Sequence, residues 1–273
     1  MSFASRAKKE IDRILPQKEC CRRAECFGMV LFTHVFSLKP GSYVSENSEV
    51  VHRMAQFLGE VCGVMCEIKT NMRRGGSSVL TVPGDDQRAR LLDTFGYTGR
   101  EVNLRLNRAV LENECCTQAF IRGAFLSCGT VTDPQKDYHL EFAAFYRKLA
   151  GDLAALLREA EPLSLQINQT ERKGSQVIYL KNSEEIADLL TYMGAPTASM
   201  ELMQQKMRKQ VRNDINRKAN FETANLDKTM SASAPQVAAF QQRTGNEPAC
   251  HGGKAFPDAQ RGQPPAAAAD GAG

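Results

Sequence analysis

Tryptophan is absent from this 273-residue chain, and aromatic residues make up only 7% of it. No stretch comes near the roughly 20 apolar residues that a membrane-spanning helix needs. The opening MSFASRAKKEIDRIL puts charges where a secretory signal peptide carries its apolar run. Walker A, GxGxxG and GxSxG sequences are all missing, so neither a phosphate-cradling loop nor a nucleophile elbow is signalled. The 9 cysteines include no CxxC spacing, and an odd number fits a disulfide framework poorly. Together these absences predict a cytoplasmic protein with reduced thiols. Hydrophobic residues at 42% and charged ones at 24% add an ordinary globular chain of one or two domains.

What is present is unevenly placed. The net charge is only +4, but from Lys206 to Lys228 seven cations face three anions, which accounts for all of it. The rest of the chain balances at 28 against 28. Basic residues gathered in one helical segment form an electrostatic footprint for nucleic acid. The alternative is a solvated helix face. The end of the chain differs again: from Gln241 to Gly273 there is no Leu, Ile or Val, and 18 of the 31 residues from Arg243 onward are Gly, Ala or Pro. Such a segment buries too little apolar surface to offset backbone ordering and is expected to be disordered.

Periodicity predicts helices at 2–15 (capped by Ser2 and stopped by Pro16), 20–34, 48–62, 84–94, 115–127, 145–158 and 183–193. Short β-rich runs fall at 43–44, 66–69, 79–82, 139–142, 163–168 and 177–180. The order is α+β: helix, two strands, helix, two strands, helix, and then the same again. A self-match supports duplication. Glu19-Cys20-Cys21, Ala24, Gly28 and Leu31 recur as Glu114-Cys115-Cys116, Ala119, Gly123 and Leu126, all at one offset. The small residues Ala24, Gly28, Ala119 and Gly123 occupy matching helical stripes, which lets two helix backbones approach closely across a pseudo-two-fold axis. The alternative is that each helix packs its small face on its own sheet.

Paired helices of this kind, each followed by β-hairpins, resemble the LAGLIDADG homing-endonuclease fold. More specifically, the chain is identified as a member of the WhiA family of sporulation and cell-division regulators. The motifs are the opening MSFAS, the two Cys-Cys helices, RGAFLSCGTV, the DYHLEF strand and NRKANFETANLDKT at residues 216–229. The resemblance implies a duplicated αββαββα domain with halves at 1–105 and 106–196. A basic linker helix and the start of a helix-turn-helix domain follow at 197–240, then a disordered tail at 241–273. The family's later helix-turn-helix pattern is not found, and a shifted reading frame or a sequence error beyond Val237 is the expected cause.

The resemblance also implies DNA binding without cleavage. Each nuclease helix ends in an acidic residue that holds a catalytic divalent ion; the equivalents here are Thr33 and Cys128, and neither is a carboxylate. A hydroxyl and a lone thiol are poor ligands for a hard cation. The expected partner is therefore double-stranded promoter DNA, with RNA polymerase, a sigma factor or division proteins as further partners, no membrane, and a nucleoid-associated location. Phosphate contacts are assigned to Lys206, Arg208, Lys209, Arg212, Arg217, Lys218 and Lys228. The rivals are a protein-interaction scaffold and an active homing endonuclease.

No metal or other cofactor is expected. Cys20, Cys21, Cys26, Cys115, Cys116 and Cys128 read as small buried hydrophobes, because adjacent cysteines are poorly placed to aim both thiolates at one ion. His34, His52, His139 and His251 share no ligand spacing. Arg73-Arg74-Gly75-Gly76 reads as a basic hairpin turn within reach of phosphate, or as an ordinary loop.

Overall fold

The structure is a computed structural model that describes residues 1–71 and 76–244. The turn residues Arg73, Arg74 and Gly75, His251, and the expected tail beyond Thr244 lie outside the described residues. The chain divides into a unit ending at Asn213 and a second beginning at Asp214.

Ser2 caps α1 (Phe3–Asp12) by accepting the backbone N–H of Ser5. The helix stops earlier than Pro16, and Leu15 is exposed. The carbonyls of Asp12 and Ile14 turn instead to the guanidinium of Arg53, which removes them from any helical ladder. Next come α2 (Glu19–Leu31), β1 (Ser42–Ser45), α3 (Ser48–Cys62), β2 (Glu67–Asn71), β3 (Ser77–Thr81) and α4 (Asp85–Thr94). After a short 3-10 turn at Arg108–Val110 the pattern returns as α5 (Glu114–Cys128), β4 (Gly129–Val131), β5 (Leu140–Ala144), α6 (Arg147–Glu159), β6 (Asn168–Arg172), β7 (Ser175–Leu180) and α7 (Ser183–Met193).

Both sheets are antiparallel, ordered β1-β3-β2 and β4-β5-β7-β6. With β1, β2 and β3 matched to β5, β6 and β7, the two orders coincide, and β4 is one extra edge strand. The first half forms no counterpart of β4 among the described residues. Phe32, Val35 and Phe36 there are buried, and Phe36 packs edge-on to Tyr97 at 5.1 Å, so this segment fills the core instead of pairing. In β5 the buried Leu140, Phe142 and Ala144 alternate with outward Glu141 and Ala143, as one covered face requires.

The strand expected at 163–168 sits further along. Leu165 and Ile167 are buried in an irregular segment, whereas the strand itself is the fully exposed Asn168–Arg172. Its register comes from a two-residue turn, Lys173 at φ 51 and Gly174 at φ 78, which joins Arg172 to its partner Ser175. Two left-handed residues give the turn the twist that adjacent strands need.

The final helix, α8, is Pro196–Thr244, with Pro235 inside it. Its start is seated in the first unit. Glu10 of α1 accepts the N–H groups of Thr197 (2.7 Å) and Ala198 (3.1 Å), acting as a remote N-cap. Ala198, Ser199 and Leu202 are buried, and Arg6 pairs with Glu201 at 2.6 Å. In the second unit, residues 214–241 of the helix are exposed apart from a half-buried Ser233.

Candidate nucleic-acid interface

The centre of the first unit is the α2–α5 pair, which pack on each other more extensively than any other two described elements. A Cβ placed on Gly28 would lie 2.2 Å from the carbonyl oxygen of Phe120, and one on Gly123 would lie 2.2 Å from that of Glu25. The next atoms met are the backbone nitrogens of Ala124 and Met29, each at 3.0 Å. These partners are related by the same repeat offset as the glycines, so the contact is reciprocal. The small-residue stripes face each other across the pseudo-dyad, and not their own sheets. Ala24 and Ala119 are fully buried beside them.

The two residues expected at nuclease-equivalent positions come together where these helices end. Thr33 and Cys128 line one pocket of about 460 Å³, walled by β1 and β5 residues and by the stacked rings of His34 and Phe145 (4.0 Å between centroids). No carboxylate is among its lining residues. The Thr33 hydroxyl donates to Val30 O at 2.8 Å, and the Cys128 thiol lies 3.2 Å from Ala124 O. Burial pushes the Cys128 thiol up to about 12, so it remains protonated at neutral pH. Lys8 donates to Leu126 O beside it at 3.0 Å, and burial lowers that amine to about 8. Its oxygens are neutral hydroxyls and carbonyls, so it offers a hard cation no anionic oxygen ligand.

A buried ionic group lies further up the pair, unsignalled by the sequence. Glu25 is inaccessible to solvent; its Oε1 accepts Nε (2.9 Å) and Nη2 (2.6 Å) of Arg53, while Arg122 faces Oε2 at 3.2 Å without hydrogen-bond alignment. Burial raises the carboxyl, and Arg122 and Arg53 offset only part of that. Three elements, α2, α3 and α5, thus share one charge cluster. The duplication could not reveal it, because the repeat partner of Glu25 is Phe120.

The basic residues of α8 divide by surroundings. Lys206 is half-buried and pairs with Glu184 at 2.6 Å, and Lys209 sits 4.7 Å over the ring of Tyr138. Arg208 and Arg212, one helical turn apart, are exposed. In the second unit Arg217, Lys218 and Lys228 are exposed too. None of these five makes an ion pair among the described residues. Of the histidines, His139 pairs with Glu141 at 2.9 Å, which Arg172 also binds, and His52 bonds Ser48 O at 2.7 Å.

The four paired cysteines pack in or against the core as expected, but their spacing does not keep them apart. Cys20, Cys21, Cys115 and Cys116 bring their sulfur atoms within 4.8 Å of one another. Adjacent cysteines in the first turn of each helix do aim at one point, because the pseudo-dyad brings two such turns face to face. Cys26 and Cys128 are not in that group.

A family profile described as the WhiA LAGLIDADG-like domain matches residues 117–212. The probable cell division protein WhiA of Alkaliphilus metalliredigens is 30% identical over 260 residues, which cover 90% of this chain and 81% of that protein. The chain belongs to the WhiA family. A second WhiA relative, from Ruminiclostridium cellulolyticum, is 34% identical over 246 residues, covering 87% of this chain and 78% of the relative. The crystal structure of full-length DUF199/WhiA from Thermatoga maritima shares the fold, with TM-score 0.64 at 18% identity over 90% of this chain and 80% of that one. The WhiA assignment and the duplicated LAGLIDADG-like α+β architecture thus agree with the sequence reading. Among the described residues no helix is long and apolar enough to cross a membrane.

Proposed function

We propose that this WhiA-family chain is a DNA-binding transcriptional regulator acting in sporulation, cell division and chromosome segregation, associated with the nucleoid, and that its nuclease-like body serves as a scaffold without cleavage. The observation that carries the reading is the set of exposed cations Arg208, Arg212, Arg217, Lys218 and Lys228 on α8, which make no ion pair among the described residues. Arginine and lysine heads in water, on a chain whose remaining charge balances, are suited to phosphate oxygens. The absence of a carboxylate around the Thr33–Cys128 pocket supports the non-catalytic part.

Affinity for a promoter-like and a scrambled duplex, measured against salt, tests the proposal. Five phosphate contacts give a log–log slope of about −4 to −5. A slope near zero removes the phosphate assignment. Plasmid nicking in Mg²⁺ or Mn²⁺ that disappears in Cys128→Ala would overturn the scaffold reading.

A second reading, docking of a division or transcription protein, is favoured by the exposed apolar residues Met207, Val211, Ile215, Phe221, Leu226 and Met230 on the same helix. Partners retained after DNase treatment would support it, and partners lost with the DNA would count against it.

A further inference from the structure

We propose that Cys20, Cys21, Cys115 and Cys116 form a closed tetrathiolate site for a single soft divalent ion of the zinc class, tying together the N-termini of α2 and α5. All four sulfurs lie within 4.8 Å of one another. A tetrahedral ion with metal–sulfur bonds of about 2.3 Å holds its thiolates roughly 3.8 Å apart, so small rotations close the site. An iron–sulfur cluster would spread its ligands over several metal atoms and fits this compact set less well. An all-sulfur shell also excludes magnesium and calcium, which need oxygen.

The placement is built by the fold. Each half supplies one Cys-Cys pair at the repeat offset, so the ligand set is two-fold symmetric like the helix pair itself. α2 begins at Glu19 and α5 at Glu114, which puts all four cysteines in the first turns, at the positive ends of the two helices. Cys21 and Cys116 are buried, while Cys20 and Cys115 are half-exposed, so the site has a floor and an entrance. The Cys21 thiol lies 3.6 Å from Cys115 O. A thiolate shell displaces thiol protons to solvent when the ion binds, so occupancy falls as the solution is acidified. The remaining clustered thiols behave otherwise: Cys26 is hydrogen-bonded with Cys62, away from this group.

The full chain, purified under reductant, is titrated with Co²⁺ and then Zn²⁺. A thiolate-to-cobalt charge-transfer band with tetrahedral visible absorption should saturate at one ion per chain and be abolished by one equivalent of Zn²⁺. Zinc should raise the Tm of the wild-type chain by about 5–10 °C. Cys20→Ser combined with Cys115→Ser should lose the band, whereas Cys66→Ser, outside the group, should retain it. The wild-type titration does not depend on how well any variant folds. Binding below a tenth of an equivalent, an octahedral cobalt spectrum, or equal loss in Cys66→Ser overturns the proposal. So does a Cys20–Cys115 disulfide that persists under the reductant.

Discussion

The carbonyl oxygen of Phe120 leaves no room for a methyl group on Gly28, and that of Glu25 leaves none on Gly123. Both obstacles are backbone, so an added Cβ forces the helices apart and cannot be absorbed by a side-chain rotation. Gly28→Ala should lower stability by about 2–4 kcal/mol, read as a fall in urea midpoint. Gly151 is the matched control: it lies within α6 with nothing near its absent Cβ, so Gly151→Ala should gain about 0.5–1 kcal/mol. A loss at Gly151 equal to that at Gly28 would mean the close approach is not the cause. These glycines were legible in the sequence because duplication marked them twice. Glu25 was not, since a single acidic residue in a helix carries no sign of burial. Glu25→Leu leaves Arg122 buried without a counter-charge and Arg53 with only Asp12, 3.7 Å away, and should cost about 3–5 kcal/mol. Replacing all three by apolar residues should recover most of that loss in the same urea measurement.

Among elements, those with a strong hydrophobic period are legible in the sequence. The expected helices at 48–62 and 183–193 match α3 and α7, whose N-caps Asn47 and Asn182 each accept a backbone N–H. Strands were harder. The apolar residues of 163–168 signalled burial correctly but not pairing, while polar Asn168–Arg172 became a strand through its turn and its neighbour β7. A fully exposed edge strand has no hydrophobic pattern to find. The basic run showed the limit of counting charge. Lys206 is held by Glu184 and Lys209 by Tyr138, so only part of the run is available to phosphate. Arg212→Gln should reduce the magnitude of the DNA salt slope by about one, as one lost phosphate contact requires. Lys206→Gln should change it by less than half as much. Equal effects of the two would place Lys206 on DNA and break the distinction drawn from their surroundings.

For the first unit taken whole, the repeat implied two halves but could not say whether each is stable alone. The packing answers by where apolar surface goes. Phe27 of α2 stacks on Phe95 at 4.9 Å and also meets Phe120 of α5 at 5.5 Å, so one aromatic cluster spans both copies. Tyr43 of β1 donates to Ser127 O at 3.3 Å, Lys8 of α1 to Leu126 O, and Glu25 is shared with Arg122. Separating the halves between residues 105 and 106 would expose the α2 face carrying Cys21, Ala24 and Phe27, all buried in the intact unit. Removing that much apolar contact from so small a fragment leaves too little to offset its chain entropy. A polypeptide of residues 1–105 should therefore show no cooperative thermal transition, while the full chain melts its first unit in a single step seen equally by near- and far-ultraviolet circular dichroism. If the isolated half melts cooperatively, or the full chain shows separate transitions for 1–105 and 106–196, the shared core is not what holds the duplication together.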